Sequence, residues 1–205
     1  MLHLTIGNRN YSSWSMRAWL ATRLCGAEFE ERIFHLGEPG VRARIREHSP
    51  TGRVPALRDG DLTVWDSLAI AEYLAERFPD AGLWPADRAA RARARSISAE
   101  MHSGFPKLRQ HFSMDLKQDH AGEGHTPEAL ADAARVMEIW RDCLGRATGG
   151  PFLFGAFTIA DAMYAPVTTR FTTYAVPMDD VSAAYVAAIA ALPAMQAWKR
   201  DALAE

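Results

Sequence analysis

The sequence predicts a mixed α/β domain over residues 1–79, followed by an all-helical domain over residues 86–205. Three observations lead there. The first eighty residues switch between the two-residue period of strands and the 3.6-residue period of helices. The stretch Pro79-Asp80-Ala81-Gly82-Leu83-Trp84-Pro85 is a break of turn formers. From Ala86 onward the chain is Ala-rich and helical in pattern, with no convincing strand.

Leu2 to Ile6 is a short apolar strand. Ser13 to Leu24 carries Met16, Trp19, Leu20 and Leu24 at helical spacing, and Gly26 follows as a stop. Phe29 to Phe34 alternates apolar and charged residues as a strand does. Val54 to Leu57 and Leu62 to Trp65 flank Asp59-Gly60, a hairpin signal. Asp66 to Phe78 is helical again, with Leu68, Ile70, Ala71 and Leu74 as its apolar face. A βαβ start with a ββα finish gives a mixed sheet covered by helices. In the second half, helices are expected over 87–116, 127–147, 159–172, 182–191 and 193–203. The polar, glycine-bearing stretch 118–126 is expected as a loop.

Bulk properties narrow the function classes. The chain has 205 residues, is 48% hydrophobic and 23% charged, and has a formal net charge of -2. There is no basic excess to attract nucleic acid or an anionic membrane. No apolar run approaches the roughly 20 residues that span a bilayer. Met1 to Ile6 is too short and alternating for a signal peptide. Two widely separated cysteines, Cys25 and Cys143, offer neither a disulfide framework nor a metal motif. Both lie in apolar helical contexts, so buried thiols in a reducing cytoplasm are expected. His102, His111, His120 and His125 lack metal-ligand spacing, and no metal site is expected. Arg88, Arg91, Arg93 and Arg95 are expected on a solvated helix face.

Three segments carry chemistry. Ser12-Ser13-Trp14-Ser15 lies between the first strand and the first helix, where a thioredoxin-like layout places a Cys-x-x-Cys pair. Hydroxyls cannot exchange disulfides. At a helix start they either cap the helix or donate to a bound thiolate. Val54-Pro55 opens a strand, and a cis bond there turns the Val54 backbone toward an extended peptide. Asp66-Ser67 opens a helix, whose first turn suits a carboxylate while Asp66 suits an ammonium. A small anionic peptide answers the last two. Thr158-Ile159-Ala160-Asp161 fits a capping box and is expected to be structural.

In this order and spacing, Ser12-Ser13-Trp14-Ser15-Met16-Arg17, Gly52 to Leu57, Asp66 to Leu74 and Phe157 to Asp161 resemble the glutathione transferase superfamily. The likeness spans nearly the whole chain and is nearest the serine-type zeta and tau classes. It implies a thioredoxin-like domain followed by a helical one. It also implies catalysis by Ser12, with Ser13 its neighbour and possible substitute, and a glutathione site of Ser12, Arg53, Val54, Pro55, Asp66 and Ser67. Met101, His102, Phe105 and Leu108 are expected to line the pocket of a small hydrophobic electrophile. A homodimer is the family's usual state. Alternatives within the same fold are a noncatalytic binding protein and a glutathione-dependent peroxidase or isomerase. Two departures stand out. Trp14 replaces the cysteine that follows the paired serines in zeta enzymes, and Asp66 replaces a longer Glu or Gln.

Overall fold

A computed structural model describes residues 1–205. Its sheet has four strands: β1 (Leu2–Gly7), β2 (Phe29–Phe34), β3 (Ala56–Asp59) and β4 (Leu62–Trp65). The order is β2-β1-β3-β4, with β1 parallel to β2 and antiparallel to β3. The mixed sheet follows from the connections. A crossover through α1 (Ser13–Leu24) permits parallel pairing, while the Asp59-Gly60 turn forces β3 and β4 antiparallel. Central β1 buries Leu2, Leu4 and Ile6. Edge strand β2 exposes Glu30, Glu31 and Arg32, charges that discourage pairing with another sheet.

The remaining helices are α2 (Val41–Arg46), α3 (Ser67–Arg77), α4 (Arg88–Ser103), α5 (Pro106–His111), α6 (Pro127–Arg146), α7 (Ile159–Thr173), α8 (Asp180–Ala191) and α9 (Pro193–Ala204). Helix α1 packs against α3 on one side and α7 on the other. One apolar cluster of 44 buried residues therefore runs through both halves.

Two features depart from the sequence reading. Helix α2 was not anticipated; its six residues bury only Ile45, too little for a periodic signal. The helix expected over 87–116 is two helices. The chain breaks at Gly104 and Phe105, and Phe105 takes φ 58°. Pro106 supplies the reason, because its ring disfavours helical geometry in the residue before it and suits the first position of a new helix. The arginine run opening α4 is also less free than expected. Arg93 pairs with Asp142, and Arg95 meets both oxygens of Glu72 at 3.0 and 3.1 Å. No single helix is long and apolar enough to cross a membrane.

Candidate functional site

The ends of three elements meet at a cleft of about 360 Å³ lined by Trp14, Thr51, Arg53, Val54, Pro55, Trp65, Asp66, Ser67 and His102. The loop before β3 supplies Thr51 to Pro55. Gly52 makes its turn at φ 64°, a conformation that costs glycine little. The Val54–Pro55 bond is cis. Proline has no N–H, and the Val54 N–H and C=O make no hydrogen bond within the protein. This stretch of backbone is thus open to an extended ligand, as a strand edge would be.

The first turn of α3 forms the opposite wall. Asp66 sits at φ 77°, and its Oδ1 accepts from the N–H groups of Leu68 and Ala69 at 2.8 and 3.3 Å. Its Oδ2 lies 3.1 Å from His102 Nε2 on α4, so one carboxylate caps a helix and touches the helical half. Ser67 is buried, yet its Oγ has no partner. A buried hydroxyl left unpaired is costly unless something else completes it.

The serines at the start of α1 lie deeper. Ser12 and Ser13 are each 5% exposed. Ser12 Oγ donates to Ser15 Oγ at 2.7 Å, and Ser15 Oγ also accepts from the Gly7 N–H at 3.0 Å. Ser13 Oγ accepts from Arg170 Nη2 at 3.0 Å. Neither hydroxyl caps α1, so the simple capping role does not describe them. Trp14, next to them in the chain and lining the cleft, meets the ring of His102 edge-on at 5.2 Å.

The cleft gathers Arg53, Val54, Pro55, Asp66 and Ser67 from the expected glutathione site together with His102, which was expected in the electrophile pocket; Ser12 and Ser13 do not line it. The expected pocket lining needs a correction. Met101, Phe105 and Leu108 are buried in the core and do not reach this cleft. On α4, Ala94, Ile97 and Met101 share the face toward α7, and His102 is turned about 100° away from it. Thr51, Trp14 and Trp65 went unpredicted as lining. Only Trp14 had a signal, its place within the serine segment. The Thr158–Asp161 box forms as expected. Asp161 is wholly buried and accepts from the N–H groups of Leu153 and Thr158 and the hydroxyls of Thr158 and Tyr185. Burial pushes its carboxyl up to about 6 against the pull of those donors.

Comparisons with known proteins agree with this geometry. Residues 11–77 match the family described as Glutathione S-transferase, N-terminal domain, and residues 123–198 match its C-terminal domain. A probable maleylacetoacetate isomerase of Caenorhabditis elegans is 29% identical over 76% of this chain and 73% of that protein. A glutathione transferase homologue from Burkholderia, solved with bound glutathione, superposes with TM-score 0.73 at 28% identity, covering 98% of each chain. A bacterial maleyl pyruvate isomerase, a zeta-class glutathione S-transferase, superposes with TM-score 0.74 at 25% identity, covering 96% of this chain and 95% of that one. With the thioredoxin-like sheet, the helical half and both domain signatures in place, the chain belongs to the glutathione S-transferase family.

Proposed function

We propose that glutathione occupies the cleft between Val54 and Ser67 and that its thiol is activated at the start of α1. The observation that carries this reading is the buried, unpartnered Ser67 Oγ in the first turn of α3, inside the cleft. The γ-glutamyl carboxylate takes that hydroxyl and the Ser67 N–H, the first-turn N–H that Asp66 leaves free. Asp66 takes the ammonium. The Val54 backbone pairs with the cysteinyl residue, and Arg53 reaches the glycyl carboxylate.

The thiol then lies at the first turn of α1, where unpaired N–H groups and the helix dipole favour a thiolate. Ser12 turns its proton from Ser15 to the sulfur. Ser15 keeps its hydrogen bond from Gly7, so the exchange strands no group. The thiol proton passes to solvent and the thiolate attacks the electrophilic carbon; as the carbon–sulfur bond forms, the carbon–leaving-group bond breaks and the leaving group departs with its electron pair, as chloride does from an aryl chloride. Serine acts as a donor throughout, not as a nucleophile.

Two assays test this. Calorimetric titration with glutathione should show binding that weakens in Ser67→Ala. Conjugation to an aryl halide should fall about tenfold to a hundredfold in kcat for Ser12→Ala, the worth of a hydrogen bond to a charged atom. Loss of rate in Ser13→Ala with full rate in Ser12→Ala would reassign the activating hydroxyl. Binding without turnover on a broad electrophile panel would favour the noncatalytic reading.

A homodimer in a reducing compartment completes the proposal. Cys25 and Cys143 are free and buried, and burial pushes both thiols up in pKa. Leu62 and Trp65 on edge strand β4 are about half exposed. Sedimentation velocity reads the oligomeric state directly.

A further inference from the structure

One face of the sheet is packed: Leu2, Leu4, Ile6 and Leu57 join the apolar core, with Val64 beside them. Side chains alternate along a strand, so the register sends the intervening residues to the other face. There Glu30, His3, Arg58 and Thr63 lie in one row across the four strands, and Arg32 and Thr5 lie in the next. A cleft of about 340 Å³ opens on this face, bounded also by residues 46–50, and no hydrophobic residue lines it.

Charge in this cleft is not balanced. Glu30 Oε2 lies 3.1 Å from His3 Nδ1, and Glu31 is turned to Arg9 and the Trp19 indole on the packed face. That leaves Glu47 as the one free carboxylate among the lining residues, against Arg32, Arg46 and Arg58. None of these three arginines forms an ion pair. The Arg32 guanidinium donates to the imidazole of His48, which must accept and is therefore neutral. Burial, then Arg32 and Arg58, push His48 down in pKa, while Glu47 pulls the other way. The Phe34 ring lies 5.9 Å from the same imidazole. Thr5 also lines the cleft; it is 5% exposed, and its hydroxyl makes no hydrogen bond within the protein.

Scattered surface arginines are ordinary, because water solvates each one. These three come from β2, α2 and β3 and border a single polar cleft that also holds a buried, unpartnered hydroxyl. A tetrahedral dianion answers that set. Its oxygens take guanidinium groups from several directions, where one guanidinium fork already matches a planar carboxylate. The surplus of three arginines over one carboxylate is also close to the charge of a phosphate ester near neutral pH, about −1.5 to −2.

We propose that this outer face of the sheet is a phosphate site, in which Arg32, Arg46 and Arg58 hold the phosphate group of a small polar molecule, or phosphate itself, with the Thr5 hydroxyl as a further donor. The site is separate from the glutathione cleft. The two share only a loop, with Ser49 and Pro50 lining the first and Thr51 and Arg53 the second.

Calorimetric titration of the whole protein with glucose 6-phosphate, inorganic phosphate and succinate tests this, with and without excess glutathione. Both phosphate compounds should bind at least about tenfold more tightly than succinate, and glutathione should leave their binding unchanged. A tighter fit for the ester assigns the site to a phosphorylated small molecule, and equal affinity assigns it to free phosphate; both support the site. Arg32→Gln and Arg58→Gln should each weaken binding about tenfold, the worth of a hydrogen bond between charged groups, with melting temperature unchanged because neither arginine has an ion-pair partner to lose. Ring-proton NMR of His48, assigned by its loss in His48→Gln, adds a readout that a merely structural role does not move. A bound dianion favours the imidazolium, so the His48 midpoint should rise with glucose 6-phosphate present, while that of His102, in the other cleft, stays in place. Succinate binding as tightly as phosphate, displacement of phosphate by glutathione, an unmoved His48 midpoint at saturating ligand, or no saturable binding of either phosphate compound would each overturn the proposal.

Discussion

Two helix starts in this chain begin alike and end differently. At α7, Thr158 and Asp161 close on each other, and every oxygen contact of Asp161 is made inside the protein. At α3, Asp66 caps the helix with one oxygen, while the neighbouring Ser67 hydroxyl is buried with nothing to bond. The first start is complete in itself. The second leaves the Ser67 hydroxyl open to the cleft. On the proposed binding of glutathione, stability and recognition are divided between two sites built from the same residue types.

Removing the first should hurt folding most. Asp161→Ala strands four buried donors, and urea melts should show a loss of about 3 kcal/mol or more. Glutathione affinity per folded molecule should stay normal; a large affinity loss at normal stability would erase the contrast. The titration of the same residue sharpens it. Its carboxyl is raised from 3.8 to about 6 in the fold. The folded state therefore holds this proton more tightly than the unfolded state. Its contribution is full below about 4, falls as pH rises toward 6, and is flat above. Melts of wild type and Asp161→Asn between pH 4 and 7 should diverge accordingly, the wild type losing ground at up to about 1.4 kcal/mol per pH unit.

Changes at α3 should be smaller in stability and visible in binding. Asp66→Asn keeps a residue that caps helices and tolerates positive φ, but removes the charge. Calorimetry should find glutathione bound about tenfold more weakly, with melting temperature nearly unchanged. Ser67→Ala should cost binding about tenfold, the low end for a hydrogen bond to a carboxylate, and leave melting unchanged or slightly higher. A drop in melting temperature with normal affinity would make the two helix starts equivalent.

The parts legible in the sequence were those encoded locally. Strand β1, helices α1, α3 and α6 and the Asp59-Gly60 turn each carry their own period or turn residues within a few positions. The cleft was legible for the same reason: Val54-Pro55 and Asp66-Ser67 are short motifs with a backbone purpose. The break at Gly104 and Phe105 was also written locally, in Pro106, but an Ala-rich helical pattern on its N-terminal side masked it. The buried arginines have no local signature at all. Arg17, Arg109 and Arg170 are spread along most of the chain and meet only because α1 packs on α7 and Arg109, on α5, reaches back to the carbonyls that end α4. Burial without a counterion is a property of the packed molecule, and no reading of neighbours along the chain exposes it.

Asp66 is a terminal shared between the two halves of the protein. Its Oδ1 belongs to α3, and its Oδ2 faces His102 from the helical half. A ligand ammonium that takes Oδ2 does so in competition with His102. Filling the cleft then trades a contact between the two halves for a contact with the guest. On the proposed binding, the Asp66–His102 contact between the halves is made when the cleft is empty and given up when it is filled.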